Sequence, residues 1–577
     1  MLTTVGILLP LLAPAQEPSS VPGAYRGPAD RNLLPANTLR AEGGPASTLL
    51  WDLQGGWDRW EFWYERERDL LHRGEPDFPA TAVDDEGSYG DHSWSLRRDE
   101  LIMTSMPLLL EALTDSSPAL REAAALSLGR IGYPASGSFL ERATKDPVES
   151  VRQAAYMGLG LLGTEEAGKT LRSVFRTSEE DSTRAFAALG LGLSGRIEAG
   201  EELRSFLNRT YAARNWKAQE DVVVAALLAA GVHGSRELVP TVTKLTEVLR
   251  GEGGDVRLLT TALQTLGAMR DPQARPLLQE VLEGQRPELA EAAAQALGRL
   301  GDRAAVPALR ARLETTHEPR LKAATFLALG RLGGEDAAKA LKELAPKRQE
   351  EESVRSAHVL ARGMIQASGA YPQLLSTLVH GSKVDRVPKA DGELRRDEDA
   401  LRGAAALALG LYGNPAAAAR LGDTLQDKSQ DPALRGYVAT GLGLLQSNKA
   451  VELLLVLAED PTLAPATRRG LVTGLGLAGR ETTSARLVRL LIEDEDDSVR
   501  WTAARALAST RSAAALETLS ASLGTALAEE QVDPRTAHLV LGLGFLGDRH
   551  QGATIGSLVS GMDLREAPAL IDALRAY

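Results

Sequence analysis

The sequence contains no cysteine among its 577 residues. Disulfide bonds and thiolate metal sites are therefore excluded, and the cysteine content says nothing about the redox state of the compartment. The eight histidines are scattered, and neither H-E-x-x-H nor G-x-S-x-G occurs. No set of acid and base residues falls in one predicted cleft. We therefore predict no catalytic residue, no metal site and no cofactor.

Aromatic residues and excess positive charge are also missing. Phe, Trp and Tyr make up only 4% of the chain, and Ala, Leu and Gly supply most of its small and apolar side chains. Thin helices packed through small side chains suit this composition better than one large core. The formal net charge is −12, which disfavours nonspecific binding to nucleic acid or to anionic lipid.

What the chain does contain is one segment copied many times. Val151–Gly163 reads VRQAAYMGLGLLG, and versions of it recur along most of the sequence. The Gly of its Leu-Gly pair, or the residue in that place, serves as the landmark of each unit. The landmarks are Gly129, Gly160, Gly192, Gly231, Gly267, Gly298, Gly330, Gly363, Gly410, Gly443, Gly476, Ala508 and Gly544. Eight of the twelve steps are 31 to 33 residues long, which predicts an all-α solenoid, a superhelical stack of about thirteen antiparallel helix pairs.

Individual positions within the unit have physical roles. Leu precedes the landmark in eleven units and Ala lies five residues before it in eight, so neighbouring helices can approach closely. Gly lies three residues after the landmark in nine units, where a left-handed residue ends the helix. An acidic residue often lies fourteen residues before the landmark, as at Asp115, Asp146 and Asp494. A column of arginines stands eight residues before the landmark, at Arg121, Arg152, Arg184, Arg355, Arg402, Arg435, Arg468 and Arg500.

The N-terminal segment has the features of an export signal. Residues 1–15 form an apolar run that ends in Ala13-Pro14-Ala15, a small-residue cleavage pattern. This run contains no Lys or Arg, so a frayed apolar tail is the alternative. Residues 16–50, rich in Pro and Gly, are predicted to be a linker. We expect an exported protein without an integral membrane span in the mature chain, and a cytoplasmic protein if the segment is not a signal.

Residues 51–100 contain a tryptophan-rich segment followed by an acidic segment. Trp51–His72 predicts a helix that caps the first repeat, because the end of a solenoid needs a cover; an aromatic platform for a partner or a glycan is the alternative. The acidic loop Gly74–His92 does not have the spacing of an EF-hand. The candidate partner-binding tryptophans are Trp57, Trp60, Trp63 and Trp216.

Two insertions interrupt the period, and a last helix follows the repeats. Extra residues at Asn208–Glu220 lengthen one step to 39, and residues 381–400 lengthen another to 47. Insertions in repeat proteins lie in loops of one face, often the binding face, although neutral loop variation produces the same pattern. Asp563–Tyr577 is predicted to close the far end of a repeat region that spans residues 101–577.

The unit resembles a known repeat family. The signature V-R-x-A-A-x-x-x-L-G-x-x-G, best matched by Val151-Arg152-Gln153-Ala154-Ala155 with Leu159-Gly160, is similar to HEAT-like repeats of the short phycobilisome-lyase type. The resemblance covers residues 101–577. It implies a solenoid that serves as a scaffold, an adaptor or a lyase subunit, and it carries no catalytic residue. It also implies that the Asp and Arg columns form an ion ladder between repeats; binding of phosphate or an acidic peptide by the Arg column is the alternative.

One segment matches a nucleotide-binding motif. Gly163–Thr170 reads GTEEAGKT and fits G-x-x-x-x-G-K-[ST], with Gly163, Gly168, Lys169 and Thr170 at the defining positions. Such a loop should follow a strand, whereas this one follows a predicted helix. The same spacing of two glycines recurs in neighbouring units. We therefore interpret the match as a turn between repeats.

The G-x-G-x-x-G pattern also occurs, at residues 158–163, 190–195, 474–479 and 542–547. In dinucleotide-binding folds this pattern opens a helix after a strand. Here it closes a helix in phase with the repeat, which indicates packing and capping. The resulting functional prediction is a non-catalytic scaffold that binds protein partners, with no nucleic acid. A lyase-type or other enzyme subunit that binds a cofactor or chromophore is the alternative.

Overall fold

The computed structural model describes residues 96–251, 254–381, 391–529, 532–533 and 535–548, with only the backbone described over 391–398. These ranges contain α-helices and short 3₁₀ turns and no β-strand. The first thirteen helices are α1 Arg98–Ala112, α2 Pro118–Ile131, α3 Gly137–Ala143, α4 Glu149–Leu162, α5 Glu165–Thr177, α6 Asp181–Ser194, α7 Ile197–Ala213, α8 Glu220–His233, α9 Val239–Gly251, α10 Val256–Ala268, α11 Arg275–Glu283, α12 Pro287–Leu300 and α13 Val306–Thr315. The remaining helices are α14 Pro319–Leu332, α15 Gly334–Glu343, α16 Glu352–Met364, α17 Ala370–His380, α18 Asp391–Tyr412, α19 Ala417–Gln426, α20 Pro432–Leu445, α21 Asn448–Leu457, α22 Pro465–Ala478, α23 Ser484–Glu493, α24 Asp497–Ala506, α25 Ala513–Leu527 and α26 Thr536–Leu546.

The helices form thirteen antiparallel pairs in two layers. Each even-numbered helix carries the repeated segment and packs along the even-numbered helices before and after it. Consecutive odd-numbered helices contact one another much less. Because the more closely spaced layer of a curved stack lies on its inner side, the even-numbered helices form the inner layer. This arrangement confirms the predicted all-α solenoid and its thirteen units.

Small residues set the spacing of the inner layer. A Cβ built on the landmark Gly443 would lie 2.4 Å from the Cα of Gly474 in the next unit. Gly129 meets Gly158 and Gly160 meets Gly190 in the same way. At eleven of the thirteen landmarks, the contacted residue stands two positions before the next landmark, where a small residue recurs. Neighbouring inner helices therefore pack backbone against backbone, which is the closest approach that two helices can make.

The stack closes on itself between its last and first pairs. The landmark Gly544 of α26 packs on Ser127 of α2, which stands two positions before the landmark Gly129, so the register of every other step is kept. Ser127 Oγ donates a 2.9 Å hydrogen bond to the carbonyl of Val540. Thr265 Oγ1 makes the equivalent bond to Leu227 between α10 and α8, at 3.0 Å. The thirteen pairs therefore form a ring.

Polar contacts also hold the last pair against the first, at the junction that we call the seam. Arg130 pairs with Asp548 at 2.5 Å, and both side chains are almost fully buried. The Arg130 guanidinium also lies 4.3 Å from the ring centroid of Phe545. Arg511 binds both ends of the array: its carbonyl accepts from the amide of Leu96 at 3.2 Å, and its Nη2 donates to the carbonyl of Asp548 at 3.2 Å.

Residues with positive φ end twelve of the thirteen inner helices described, as the glycine column predicts, and Gly547 after α26 is the exception with φ of −96°. Gly132 and Gly163 have φ of 67° and 66°. The same position is left-handed where the sequence offers no glycine, at Arg270, Gln366, Gln446 and Arg511. The repeat geometry therefore imposes this conformation at a cost, because a side chain disfavours positive φ.

Ring closure bears on the cap that was predicted for the first repeat. The first pair is covered by α25 and α26, so within the described residues it presents no open end for a cap. The predicted signal (1–15), linker (16–50), Trp-rich segment with Trp57, Trp60 and Trp63, acidic loop and closing helix Asp563–Tyr577 lie outside the described residues. The insertion at 381–400 is described from Asp391, where it extends the N-terminal end of α18. Among the described helices, none is long and apolar enough to cross a membrane.

Candidate interaction surfaces

The arginine column lies at the N-terminal ends of the inner helices, beside the C-terminal ends of the outer ones. Arg435 Nε donates to the carbonyl of Leu425 and Arg402 Nε to that of Leu378, both at 2.8 Å. Arg152 Nη1 donates to the carbonyl of Asp146 at 2.9 Å, and Arg500 Nη1 to that of Asp494 at 2.8 Å. These carbonyls lie at or just beyond the C-terminal ends of outer helices, where the guanidinium provides a donor for them.

Two members of the column also bind a carboxylate of the following unit. Arg121 reaches Asp146 through Nε at 2.8 Å and Nη2 at 3.0 Å. Arg468 binds Asp494 in the same bidentate manner, with both distances 2.8 Å. Burial acts to raise the pKa of Asp146, but the hydrogen bonds from Arg121 and the Val148 amide, together with the charges of Arg121 and Arg152, outweigh it and the pKa is lowered. The ion ladder is thus formed at these steps, while Arg355 on α16 has no polar partner on its Nε and Nη1.

The nucleotide-motif match lies in the turn between α4 and α5. Gly163 is the left-handed cap of α4, and Thr164 caps α5 by accepting from the amide of Ala167. Lys169 is 57% exposed and pairs with Glu165 at 2.8 Å on its own helix. Thr170 donates to Glu141 at 2.8 Å. The segment follows a helix, and its polar groups are bound within the repeat.

Removing the Lys169 ammonium is therefore expected to have little effect. Lys169→Ala should change the free energy of unfolding by no more than roughly 0.5 kcal/mol, because the side chain is exposed. Thermal melting of both proteins with and without Mg-ATP provides the measurement. A rise in melting temperature with nucleotide that Lys169→Ala abolishes would contradict this interpretation.

The glycines of the G-x-G-x-x-G pattern serve the inner layer. Gly158 and Gly160 lie against Ala125 of α2 and Gly190 of α6, with ideal Cβ positions 2.5 Å from the carbonyl oxygens there. Gly542 lies against Leu491. They leave no free backbone approach for a dinucleotide.

Trp216 is not presented to a partner. It forms part of a 3₁₀ turn before α8 and is only 4% exposed, among core residues. The other three candidate tryptophans belong to the part of the chain without described coordinates.

A polar cluster on the inner helices was not singled out by the sequence. Gln264 donates to Gln295 at 2.8 Å across α10 and α12, and Arg299 donates back to Gln264 at 2.8 Å. All three side chains are buried. Most units carry Leu or Met at the position of the two glutamines. A polar residue at this otherwise apolar position was therefore the feature of the sequence that could have indicated the cluster. A buried, hydrogen-bonded cluster of this kind fixes the register of two neighbouring helices.

Two buried histidines lie in different units rather than in a shared site. His358 bonds to the carbonyl of Leu341 through Nε2 at 2.9 Å, and His538 to that of Arg535 through Nδ1 at 3.2 Å. Burial lowers the pKa of each to about 4. Both are neutral at pH 7, and they belong to different, well-separated pairs of the ring.

These histidines predict a loss of stability in mild acid. Between pH 6.5 and 4 the unfolded chain binds protons that the folded chain does not, so the free energy of unfolding falls as pH falls. The loss is roughly 2 kcal/mol per histidine by pH 5. Melting temperatures at pH 7 and pH 5 should differ less in His358→Gln than in the parent protein. Equal differences in the two proteins would show that His358 titrates normally.

A surface cavity of about 260 Å³ lies beside Arg184. It is lined by Phe175 and Arg176 at the end of α5, Arg184 at the start of α6, and Glu202, Ser205, Phe206 and Arg209 on α7. The long step at Asn208–Glu220 was an indirect signal of this cavity in the sequence. No group of three or more His, Asp or Glu residues suited to a metal ion is found in the described ranges.

The family model for HEAT repeats matches five segments of the chain. They are residues 106–192, 242–329, 276–361, 393–464 and 462–531, and together they cover more than half of the sequence. No curated protein matches the chain.

Several solved structures are similar to parts of the chain at low identity. The complex of CpcE and CpcF of phycocyanin lyase from Nostoc sp. PCC7120 shows 22% identity over 47% of this chain and 98% of that chain, with a TM-score of 0.30. Human deoxyhypusine hydroxylase shows 20% identity over 50% of this chain and 99% of that chain, with a TM-score of 0.21. Importin beta shows 11% identity over 79% of this chain and 86% of that chain, with a TM-score of 0.27.

Proposed function

This chain belongs to the HEAT-repeat family, and we propose that it is a non-catalytic scaffold that binds protein partners on a closed ring of repeats. The observation that carries the proposal is the unbroken register of the inner layer, which continues through the seam from Gly544 to Ser127. A solenoid presents long surfaces made of many small units. Closing it fixes the distance and angle between any two surface sites.

Rigidity is what such a ring contributes to binding. Open solenoids bend because each unit contacts only its neighbours. Here the Arg130–Asp548 pair and the Ser127 hydrogen bond tie the last unit to the first. A partner that contacts two distant units therefore does not have to restrain the scaffold on binding, which lowers the entropic cost of association.

The proposed setting follows from the N-terminal sequence. The apolar run at 1–15 with its small-residue end supports export to the periplasm, the cell surface or the medium. N-terminal sequencing of the protein from its native cell should then begin at or near Gln16. A chain that retains Met1 would argue for the cytoplasm.

The function is tested by reconstitution with defined components. Partners captured by cross-linking in the native cell are produced separately and mixed with the full chain, and the complex is measured by size-exclusion chromatography with light scattering. A stable complex of fixed stoichiometry is expected, and Gly544→Val, which disturbs the seam, should weaken it. Purified protein that carries a chromophore absorbance band or shows substrate turnover would instead support the enzyme-subunit alternative.

A further inference from the structure

The cavity beside Arg184 concentrates guanidinium groups in an acidic protein. Arg176, Arg184 and Arg209 line it, against one lining carboxylate, Glu202. Glu202 is 5% exposed and is already paired with Arg176, whose Nε lies 2.8 Å from Glu202 Oε2. Two guanidiniums of the lining are therefore not neutralised by a lining carboxylate. Asp181 on the rim lies 3.3 Å from Arg184 and is half exposed.

In two other units of the ring, this arginine position binds a carboxylate of the following unit. The arginine of the column holds the next unit's Asp146 at Arg121 and Asp494 at Arg468, in both cases with two short hydrogen bonds. Asp146 and Asp494 lie fourteen residues before the landmarks of their units. In the unit after Arg184, that position holds Lys217 instead of an aspartate. Within the described part of the chain, Arg184 hydrogen-bonds to the Phe175 carbonyl, Asp181 and Gln219, each at 3.3 Å.

The insertion predicted from the period builds the wall of the cavity. Outer helix α7 runs for 17 residues, from Ile197 to Ala213, and is the longest outer helix described. Its added turns carry Arg209, whose Nη1 donates to Ser205 at 2.7 Å. Phe206 forms the floor, 5.0 Å from Phe175 and 5.7 Å from the Arg184 guanidinium. The aromatic ring restrains that guanidinium where it lines the cavity.

We propose that this cavity binds an aspartate or glutamate side chain of a protein partner. The inference rests on the proposed scaffold function and names the chemistry of one anchor point. A carboxylate is favoured because it is the group that the same column position binds at Arg121 and Arg468, in each case through two hydrogen bonds. A planar guanidinium binds carboxylate through two parallel hydrogen bonds, which gives direction as well as attraction. The volume holds one acidic side chain with a few waters.

The test uses a defined peptide and matched variants of the full chain. A fluorescein-labelled, N-acetylated hexaglutamate amide is titrated by polarisation against the hexaglutamine equivalent. We expect the parent to prefer the glutamate peptide, and Arg209→Gln to weaken binding roughly three- to tenfold through loss of a charged hydrogen-bond donor. Arg204→Gln, on the same helix but paired with Glu237 outside the cavity, should bind like the parent. Glu202→Gln should bind more tightly, because it releases Arg176.

The outcomes separate this inference from the scaffold proposal. Equal binding by the parent, Arg209→Gln and Glu202→Gln would overturn the cavity as the site. Competition by inorganic phosphate at concentrations where acetate at equal ionic strength has no effect would assign the cavity to phosphate and overturn the carboxylate. If the reconstituted partner complex forms equally well with Arg209→Gln, the scaffold stands and the anchor fails. If the peptide results hold but no partner complex forms, the anchor stands and the scaffold fails.

Discussion

Gly544→Val is expected to open the ring at the seam between α26 and α2. A Cβ at Gly544 would lie 2.3 Å from Ser127 Oγ and 2.7 Å from its Cα, so the two helices must move apart. Overpacking of this kind costs about 1–3 kcal/mol, and more where backbone has to move. The Ser127–Val540 hydrogen bond would break with it. Small-angle scattering should show a larger radius of gyration while the helical circular dichroism is retained.

A matched substitution at the same seam is expected to leave the ring closed. Gly524 lies within α25, and a Cβ there would be 3.7 Å from Leu108 of α1, an ordinary contact. Gly524→Ala should therefore be neutral or stabilise the protein by up to roughly 1 kcal/mol, as alanine does inside a helix. If Gly544→Val keeps the parent's radius of gyration and melting temperature, the seam is not closed in solution.

Leu159→Ala is expected to cost roughly 2–5 kcal/mol, the usual range for a large-to-small core change. Leu159 is fully buried on α4 and precedes the landmark Gly160. Because each unit contacts only its neighbours, the damage should begin locally. Amide hydrogen exchange should accelerate first in α3 to α6, with distant helices such as α16 unaffected.

The surface variant Lys169→Ala is the control for this experiment. Lys169 is exposed and lies on α5, the helix that follows α4. Uniform acceleration of exchange around the whole ring in Leu159→Ala would contradict local coupling. It would mean that the closed ring unfolds as one cooperative unit.

The helices and their ends could be predicted from the sequence because each depends on local chemistry. The Leu before the landmark and the Gly after it recur often enough to place α4 and its cap at Gly163. The closure of the ring could not be predicted from the sequence. Thirteen units close a ring only if each step turns by roughly 28°, and a change of a few degrees per step yields a spiral. The small residues two positions before each landmark, Ser127 among them, are visible in the sequence, but their contact with the preceding unit is not.

The site residues divide in the same way. The Asp and Arg columns predicted pairing between repeats, and Arg121 with Asp146 lies where that pattern implies. Which arginines bind backbone carbonyls instead depends on the loop that precedes each inner helix. Arg176 and Glu202 belong to no periodic column, so nothing in their spacing marks them. Trp216 shows the converse, since the tryptophan content of a sequence does not distinguish a buried indole from an exposed one.

The meeting of Leu96 and Asp548 at Arg511 has a consequence for connectivity. In an open array the first and last units differ physically from the rest, because each lacks a neighbour. Here every unit has two, and the order in which the chain visits them is set only by where the backbone is interrupted. A circular permutant of residues 96–548 that joins Asp548 to Leu96 by a short linker and begins at an exposed turn, such as the one at Gly301, would preserve every described contact between units.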